Sequence, residues 1–240
     1  MRIWEKYPKL ARAVKRTHDD MAARLGCAMF YNHDFDHVIR VGDRATIIAE
    51  TPEVGFIAGA AGLCHNTDRI LQKMDGSGPF GKVENEDIVG MVCGWLDAEP
   101  TDTFSDEDRL QIYDAVLHHS ERNSHDDSPV LVTLKDADRT VNIEADVIFR
   151  KAQLLGDTMR VIDPIHGIRD PRATFENPGS ILRSLEFDRA DFQKAGGVAE
   201  IRLPKAKVIA RSRLAFLRIF IRTVMKQRHE AGLLPYPSFE

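Results

Sequence analysis

Helical periodicity is the feature that most constrains the fold of this chain. Apolar residues recur at spacings of three and four, as between Phe35 and Ile48, which is the pattern of an amphipathic helix. Almost no segment alternates strictly between apolar and polar residues, so a β-rich fold is difficult to build from this sequence. The sequence therefore predicts a mostly helical, all-α protein.

Other stretches predict individual helices and the breaks between them. Residues 54–64 are small and apolar on nearly every side, which is typical of a helix at the centre of a fold. Helical stretches are also expected at about 87–96 and 129–143. Ser105 followed by Asp108 resembles a capping box, with Asp in place of the preferred Glu. Turn-rich breaks are expected at residues 75–81, 99–103 and 123–129.

The composition is that of an ordinary globular protein. The 240 residues are 43% hydrophobic and 29% charged, enough for one large domain or two small ones. The net charge of −4 does not favour a dedicated nucleic-acid-binding protein. No apolar run approaches a membrane span, which needs about 18 residues, and residues 1–6 lack the apolar stretch of a signal peptide. With only three cysteines in apolar surroundings, the sequence predicts a reducing, cytoplasmic location.

The last third of the chain differs from the rest. Residues 162–180 are rich in Pro, Gly and Asp without a clear period, and residues 202–228 carry nine basic side chains and no acidic one. This basic stretch predicts either a core helix with a solvated basic face or a surface for an anionic partner. We predict a helical domain at 1–160 and, at 161–240, a connector with a basic helical extension packed on the same body.

Several histidines end or line an apolar helical stretch. His33 and His37 lie four residues apart, so one face of a helix would carry both. The other members of this set are His65, His118, His119 and His125, together with the later Asp136 and Asp138. Imidazole nitrogens and carboxylate oxygens suit a divalent metal such as Zn, Mn, Fe or Ni. The ordered set, more than any single residue, indicates a metal site.

Three of these residues stand in a characteristic order. His37 begins His-Val-Ile-Arg-Val, His65 ends Ala-Gly-Leu-Cys-His, and Asp138 stands in Lys-Asp-Ala-Asp-Arg. This order resembles the HD-domain superfamily of metal-dependent phosphohydrolases, over about residues 31–142. His119, followed by Ser120, looks like the His-Ser of some small hydrolases in that superfamily. The resemblance implies an HD-domain-like helical bundle with additional C-terminal helices, and hydrolysis of a phosphoester or phosphoanhydride, often in a nucleotide.

The resemblance also implies a set of metal ligands. His37, His65 and Asp138 would hold a divalent cation (Mn, Fe, Co, Ni, Zn or Mg). Asn66 stands where the family has the aspartate of an adjacent His-Asp pair, and would offer only a neutral amide oxygen. The site then carries one negative charge fewer than expected, which lowers its metal affinity. The literal pair at residues 33 and 34 precedes His37 and closes no buried apolar helix, so we do not assign it this role.

Further roles are assigned to neighbours of these ligands. Asp68 is the candidate general base or water-orienting group and could partly replace the missing charge, and Asn66 is counted with it as catalytic. The predicted substrate-binding residues are Arg69, Lys135, Arg139, Asn142 and His119. Together with His119, His118 and His125 could bind a second cation or the leaving phosphate.

Alternative interpretations stay open at this stage. Asn66 is also what a catalytically degenerate module would carry, one that binds a nucleotide or a protein partner in a regulatory role. A third hypothesis has the basic C-terminal segment bind nucleic acid or a membrane surface, and a homo-oligomer is left open. The glycine-rich residues 75–82 lack the Gly-Lys-Ser/Thr ending of a phosphate loop, so we interpret them as a helix connector. Cys64 lies in a buried apolar stretch and is assigned to packing.

Overall fold

The structure, a computed structural model, describes residues 1–25, 34–75, 82–156, 158–174 and 177–234. These residues form α-helices and no β-strand, and their extended pairings are two isolated bridges, Arg160–Ser180 and Asp163–Gly167. The all-α fold expected from the periodicity is therefore confirmed. None of the helices in the described ranges is both long and apolar enough to cross a membrane.

The helices follow one another with short connections over most of the chain. In chain order they are α1 (Ile3–Lys6), α2 (Pro8–Leu25), α3 (Phe35–Ile48), α4 (Pro52–Cys64), α5 (Thr67–Asp75), α6 (Asn85–Leu96), α7 (Asp106–His118), α8 (Pro129–Val141), α9 (Val147–Leu155), α10 (Ile181–Asp191) and α11 (Pro204–Glu230). Some positions discussed above lie outside the described residues. They are His33, Cys27 (one of the three cysteines) and residues 76–81 of the glycine-rich stretch.

The chain divides into two compact units. Unit 1 comprises Met1–Val141 and Ile201–Lys207, and unit 2 comprises Asn142–Glu200 and Val208–Glu240. The first boundary follows the last residue of α8, and α11 begins in unit 1 and continues into unit 2. The division after residue 160 stays a prediction, as do the cytoplasmic location and any homo-oligomer.

Close packing of α3 against α4 forms the centre of unit 1. Ala58, Ala60 and Ala61 on α4 are completely buried, as the small apolar stretch predicts. A Cβ atom added to Gly62 would lie 2.8 Å from the backbone nitrogen and Cα of Gly42, so only glycine permits this approach. The two helix backbones therefore touch where α4 ends, directly before His65.

Side-chain caps fix where several helices begin. Ser105 and Asp108 form the expected capping box: the Ser105 hydroxyl accepts from the Asp108 backbone N–H, and the Asp108 carboxylate accepts from the Ser105 N–H. Asp34 caps α3, because its carboxylate accepts from the His37 backbone N–H at 2.8 Å. Asp34, which the sequence analysis does not assign as a metal ligand, thus has a structural role at the start of α3.

The two residues directly before α11 are hydrogen-bonded to α8 within unit 1. The Asp136 carboxylate is fully buried and accepts hydrogen bonds from the backbone N–H groups of Arg202, at 2.7 Å, and Leu203, at 2.6 Å.

In the basic stretch, Leu214, Leu217 and Ile221 are buried. Arg211, Arg218 and Arg222 are exposed. The long helix with a solvated basic face is therefore present.

Candidate metal centre

Two imidazoles and one carboxylate converge in unit 1. His37 in the first turn of α3, His65 directly after α4 and Asp138 in the last turn of α8 each offer one ligand atom, and these atoms lie within 4.8 Å of one another. The Asp138 Oδ1 atom is 3.1 Å from His37 Nε2 and 3.7 Å from His65 Nε2, and the two Nε2 atoms are 3.2 Å apart. Both histidines are only 1% exposed. Three residues that are far apart in sequence thus form one compact cluster, which we call the buried cluster.

The backbone around His65 fixes the orientation of its ring. The His65 Nδ1 atom lies 2.7 Å from the carbonyl oxygen of Gly62, which can only accept, so Nδ1 carries the proton. The Nε2 atom, with its lone pair, then faces His37 and Asp138. The Thr67 hydroxyl donates to the carbonyl of Cys64 at 2.6 Å and holds the turn between α4 and α5. A carbonyl behind one ring nitrogen is the usual support for a metal-binding histidine.

The protonation states of His65 and Asp138 suit a metal site. Burial lowers the pKa of His65 to about 3, and the nearby Asp138 charge only partly opposes this effect. Burial raises the pKa of Asp138, but the hydrogen bond and charge of His37 outweigh it and hold that pKa well below its ordinary range. At neutral pH His65 is therefore neutral and Asp138 ionised, the forms that coordinate a cation.

Asn66 supplies a further polar group beside His65. It is 2% exposed, and its Nδ2 atom makes no hydrogen bond to any described residue. A buried amide with one end unsatisfied costs about 1–3 kcal/mol unless a ligand or water completes it. Two imidazoles and one carboxylate fit a site for a single divalent cation. The unpartnered Nδ2 group of Asn66 is a hydrogen-bond donor, which a water or a ligand oxygen would satisfy.

His119 lies at the edge of the buried cluster. Its ring centre is 5.2 Å from that of His65, in an edge-on arrangement, and its Nδ1 atom donates to the carbonyl of Val116 at 2.7 Å. The structure thus brings this predicted substrate residue next to the ligands. His118 instead pairs with Asp114 at 3.0 Å, and His125 is exposed. Neither belongs to a group of potential ligands among the described residues, and their binding of a second cation or phosphate stays a prediction.

Asp68 and Arg69 lie at the start of α5, directly after the Asn66 position. The Asp68 carboxylate accepts from the Arg69 backbone N–H at 2.7 Å and lies 3.4 Å from the Arg69 Nε atom. Arg69 also donates to Gln72 at 3.1 Å. Asp68 is not part of the group of ligand atoms within 4.8 Å. The roles of Asp68 as base and of Arg69 as phosphate ligand stay predictions.

Lys135 and Arg139 on α8 hold the 122–127 loop. Lys135 is 1% exposed, and its Nζ atom is 3.0 Å from both carboxylate oxygens of Asp127 and 3.1 Å from the carbonyl of Arg122. The Arg139 guanidinium donates to Asn123 at 2.7 Å. Its burial lowers the pKa of Arg139, which the charges of Asp136 and Asp138 oppose. Arg139 is therefore within electrostatic reach of the buried cluster, whereas the Lys135 ammonium is committed to Asp127; both substrate roles stay predictions.

Asn142 lies just beyond α8, at the first residue of unit 2. Its side-chain oxygen accepts a long hydrogen bond, at 3.4 Å, from the Arg150 guanidinium. The predicted contact of Asn142 with a substrate or with the aspartate one turn earlier stays a prediction.

The structure also contains a second group that the sequence interpretation missed, which we call the loop cluster. Asp163, His166 and Asp170 in unit 2 bring one ligand atom each within 4.8 Å of the others. The Asp163 carboxylate already accepts from the backbone N–H groups of Ile165 and His166, at 2.7 Å each. Asp170 is held by Arg172, with distances of 3.1 and 3.3 Å to its two oxygens. The only sequence signal was the Asp-x-x-His-x-x-x-Asp spacing within the connector.

Comparisons of this chain with protein-family models, with curated proteins and with solved structures found no match. The resemblance to the HD-domain superfamily therefore stays a prediction, based on the order of His37, His65 and Asp138. Function has to be inferred from the chemistry of the buried cluster itself.

Proposed function

We propose that this protein is a metal-dependent phosphohydrolase that acts on a nucleotide or another small phosphoester or phosphoanhydride. One observation carries the proposal: the Nε2 atoms of the buried His37 and His65 and a carboxylate oxygen of the partly buried Asp138 lie within 4.8 Å of one another. Two imidazoles and a carboxylate are a ligand set of catalytic metal sites. The order of these residues, which resembles the HD-domain superfamily, supports the same function.

The residues present are suited to hold one divalent cation. His37, His65 and Asp138 would be its ligands, and the amide of Asn66 would add a neutral oxygen. A cation bound there lowers the pKa of a water molecule and polarises a phosphoryl oxygen. The Asp138 carboxylate supplies the negative charge of this ligand set, and His65 adds no charge because it is neutral.

Other side chains would orient and bind the substrate. The Gly62 carbonyl holds the His65 ring, and the apolar α4 surroundings exclude water. His119 has its Nδ1 proton committed to Val116, so its Nε2 atom is the one that can contact a phosphoryl oxygen. Arg69 has a side chain that is 30% exposed, against 1% for Lys135, so we favour Arg69 as the cation that meets the substrate phosphate.

Elemental analysis of the purified full chain tests the proposal. We expect one bound transition metal or Mg²⁺ per chain, followed by turnover of some nucleoside phosphates in a screen with added Mn, Co, Ni or Mg. The variants His65→Ala and Asp138→Ala remove ligands, and His229→Ala is the matched control because that exposed imidazole belongs to neither group of potential ligands. Unchanged metal content in both ligand variants, or no metal and no turnover in the native chain, contradicts the proposal.

A second candidate function is a regulatory module that binds a nucleotide or a protein partner without hydrolysis. The observation that favours it is Asn66, which leaves the site with one carboxylate fewer than the resemblance implies. Calorimetric titration with nucleoside phosphates, beside the turnover screen, separates the two functions. Saturable binding without release of phosphate or nucleoside supports the module, and release supports the hydrolase.

A further inference from the structure

A cavity of about 450 Å³ lies within unit 2, between the 165–169 turn and the C-terminal half of α11. Small-molecule sites commonly have volumes of about 300–1,000 Å³ and mostly apolar walls. Ile168, Ile221, Met225 and Leu234 form the apolar part of this wall. Ile165 also lines the cavity and is 74% exposed, which places a large apolar side chain in contact with solvent. The cavity therefore offers apolar surface to a ligand.

The wall depends on an unusual backbone conformation. Gly167 has a φ of 62°, in the left-handed region that favours glycine. A Cβ atom at this position would lie 2.8 Å from the Met225 Cε atom, so the absence of a side chain allows the methionine to pack on the turn. The Asp163 carboxylate fixes the same turn through the N–H groups of Ile165 and His166. The turn is thus held by specific contacts at one wall of the cavity.

The charges at the cavity are basic. Arg169 and Arg222 line it, and neither guanidinium forms a hydrogen bond or an ion pair with another residue in the described ranges. Among the residues that the structure describes, no acidic side chain lines the cavity. Of the two nearest acids in the sequence, Asp170 is paired with Arg172, and Asp163 faces His166, which also lines the cavity, at 3.5 Å. The cavity therefore combines apolar side chains with two guanidinium groups that pair with no carboxylate in the described ranges.

We propose that this cavity binds a dissolved small organic anion, a carboxylate or phosphate ester attached to an aliphatic or aromatic body. The apolar body contacts the side chains of Ile168, Ile221 and Met225. The anionic group accepts hydrogen bonds from Arg169 and Arg222, because a guanidinium matches the geometry of carboxylate and phosphate oxygens. This site is separate from the buried cluster and does not depend on the proposed hydrolase function.

Fluorescence of 1-anilinonaphthalene-8-sulfonate, an aromatic anion, tests the site in the full chain at physiological salt. Decanoate serves as a competing aliphatic anion and decanol as its neutral counterpart. The double variant Arg169→Gln/Arg222→Gln removes the two cavity charges. Its matched control is Arg211→Gln/Arg218→Gln, which removes two exposed charges from α11 that do not line the cavity. Thermal unfolding of all variants verifies that they remain folded.

We expect saturable binding of the fluorescent anion, displaced by decanoate and much less by decanol. Affinity should fall at least about tenfold in the cavity variant and change by less than about twofold in the control. Ile165→Gln, at an exposed position, should weaken binding by a few fold because it removes apolar contact. Equal weakening in both double variants, or no saturable binding to the native chain, overturns the proposal. Binding only to phosphatidylglycerol vesicles, without displacement by decanoate, also overturns it and assigns the basic surface to lipid.

Discussion

The buried cluster and the loop cluster contain the same ligand types but are built in opposite ways. The buried cluster brings together His37, His65 and Asp138 from three helices, across about a hundred residues of sequence. The loop cluster takes all of its members from Asp163–Asp170, a single turn-rich stretch. The clusters differ in the exposure of their imidazoles, since 33% of the His166 side chain is accessible against 1% for His37 and 2% for His65. Long-range packing can dehydrate an imidazole, whereas a surface turn leaves it in contact with water.

The partners of the carboxylates differ as much as their surroundings. Asp138 lies beside two imidazoles, and an imidazole can release its proton and coordinate a metal. Asp170 is held by the Arg172 guanidinium, which stays charged at any physiological pH. A cation that approaches the loop cluster must displace this arginine. Convergence of ligand atoms is therefore insufficient by itself, because the charge that already balances them decides whether metal binding is favourable.

Removal of one buried ligand should have the largest effect. We expect His65→Ala or Asp138→Ala to lower metal affinity by about 100-fold or more, since each removes a direct ligand. His166→Ala, which removes the imidazole of the loop cluster, should leave the metal content unchanged. Inductively coupled plasma mass spectrometry on dialysed protein measures both. If only His166→Ala loses its metal, the loop cluster and not the buried cluster is the metal site.

A methyl group between α3 and α4 should disturb only the buried cluster. In Gly62→Ala the new Cβ meets the Gly42 backbone at 2.8 Å, so the helices must separate, at a cost of about 1–3 kcal/mol in the free energy of unfolding. Metal affinity should fall as well, because His65 hydrogen-bonds to this glycine. Gly90→Ala on α6 is the control, since nothing lies within 4 Å of its added Cβ. Urea titrations with and without metal measure the difference, and equal stability of the two variants contradicts the packing argument.

Restoring the missing negative charge should strengthen metal binding at the buried cluster. At neutral pH we expect Asn66→Asp to bind a divalent metal roughly tenfold more tightly, because an additional carboxylate raises the ligand charge. Asn66→Ala is the companion variant, which removes the amide without adding charge and should bind no more tightly than the native chain. Competition with a fluorescent chelator gives the affinities. Unchanged affinity in Asn66→Asp would show that this position does not act on the metal.

The smallest expected effect is the appearance of weak metal binding at the loop cluster. Arg172→Gln removes the cation that balances Asp170, so a second, weak metal equivalent should appear, with a Kd of about 1 mM. The control Arg189→Gln breaks a similar pair, with Glu186 on α10, that belongs to neither cluster. Calorimetric titration with Mn²⁺ counts the equivalents. If Arg172→Gln binds no second ion, the geometry of the turn, and not the arginine, excludes the metal.

Sequence patterns were informative where the determining contacts are local. The capping box of Ser105 and Asp108 spans three residues, and the small apolar residues of α4 identify a buried helix without any knowledge of its partners. No such local signal exists for two other contacts. They are the ion pair of Lys135 with Asp127 and the hydrogen bond from the Arg202 backbone N–H to the Asp136 carboxylate. The second of these contacts joins residues 66 positions apart. A buried lysine and an exposed one look the same in a sequence, so the prediction that Lys135 binds substrate, which stays a prediction, could not take the pairing with Asp127 into account.

By itself, the sequence determined the helical character of the chain and the order of His37, His65 and Asp138. Both follow from spacings of a few residues and from residue type, which act before the chain folds. Only the tertiary structure decided that the three ligand atoms meet, since that depends on the contact of Gly42 with Gly62 and on the packing of α8. It also decided which nitrogen of His65 can bind a cation, because the Gly62 carbonyl fixes the proton of that ring on Nδ1 and leaves Nε2 facing Asp138.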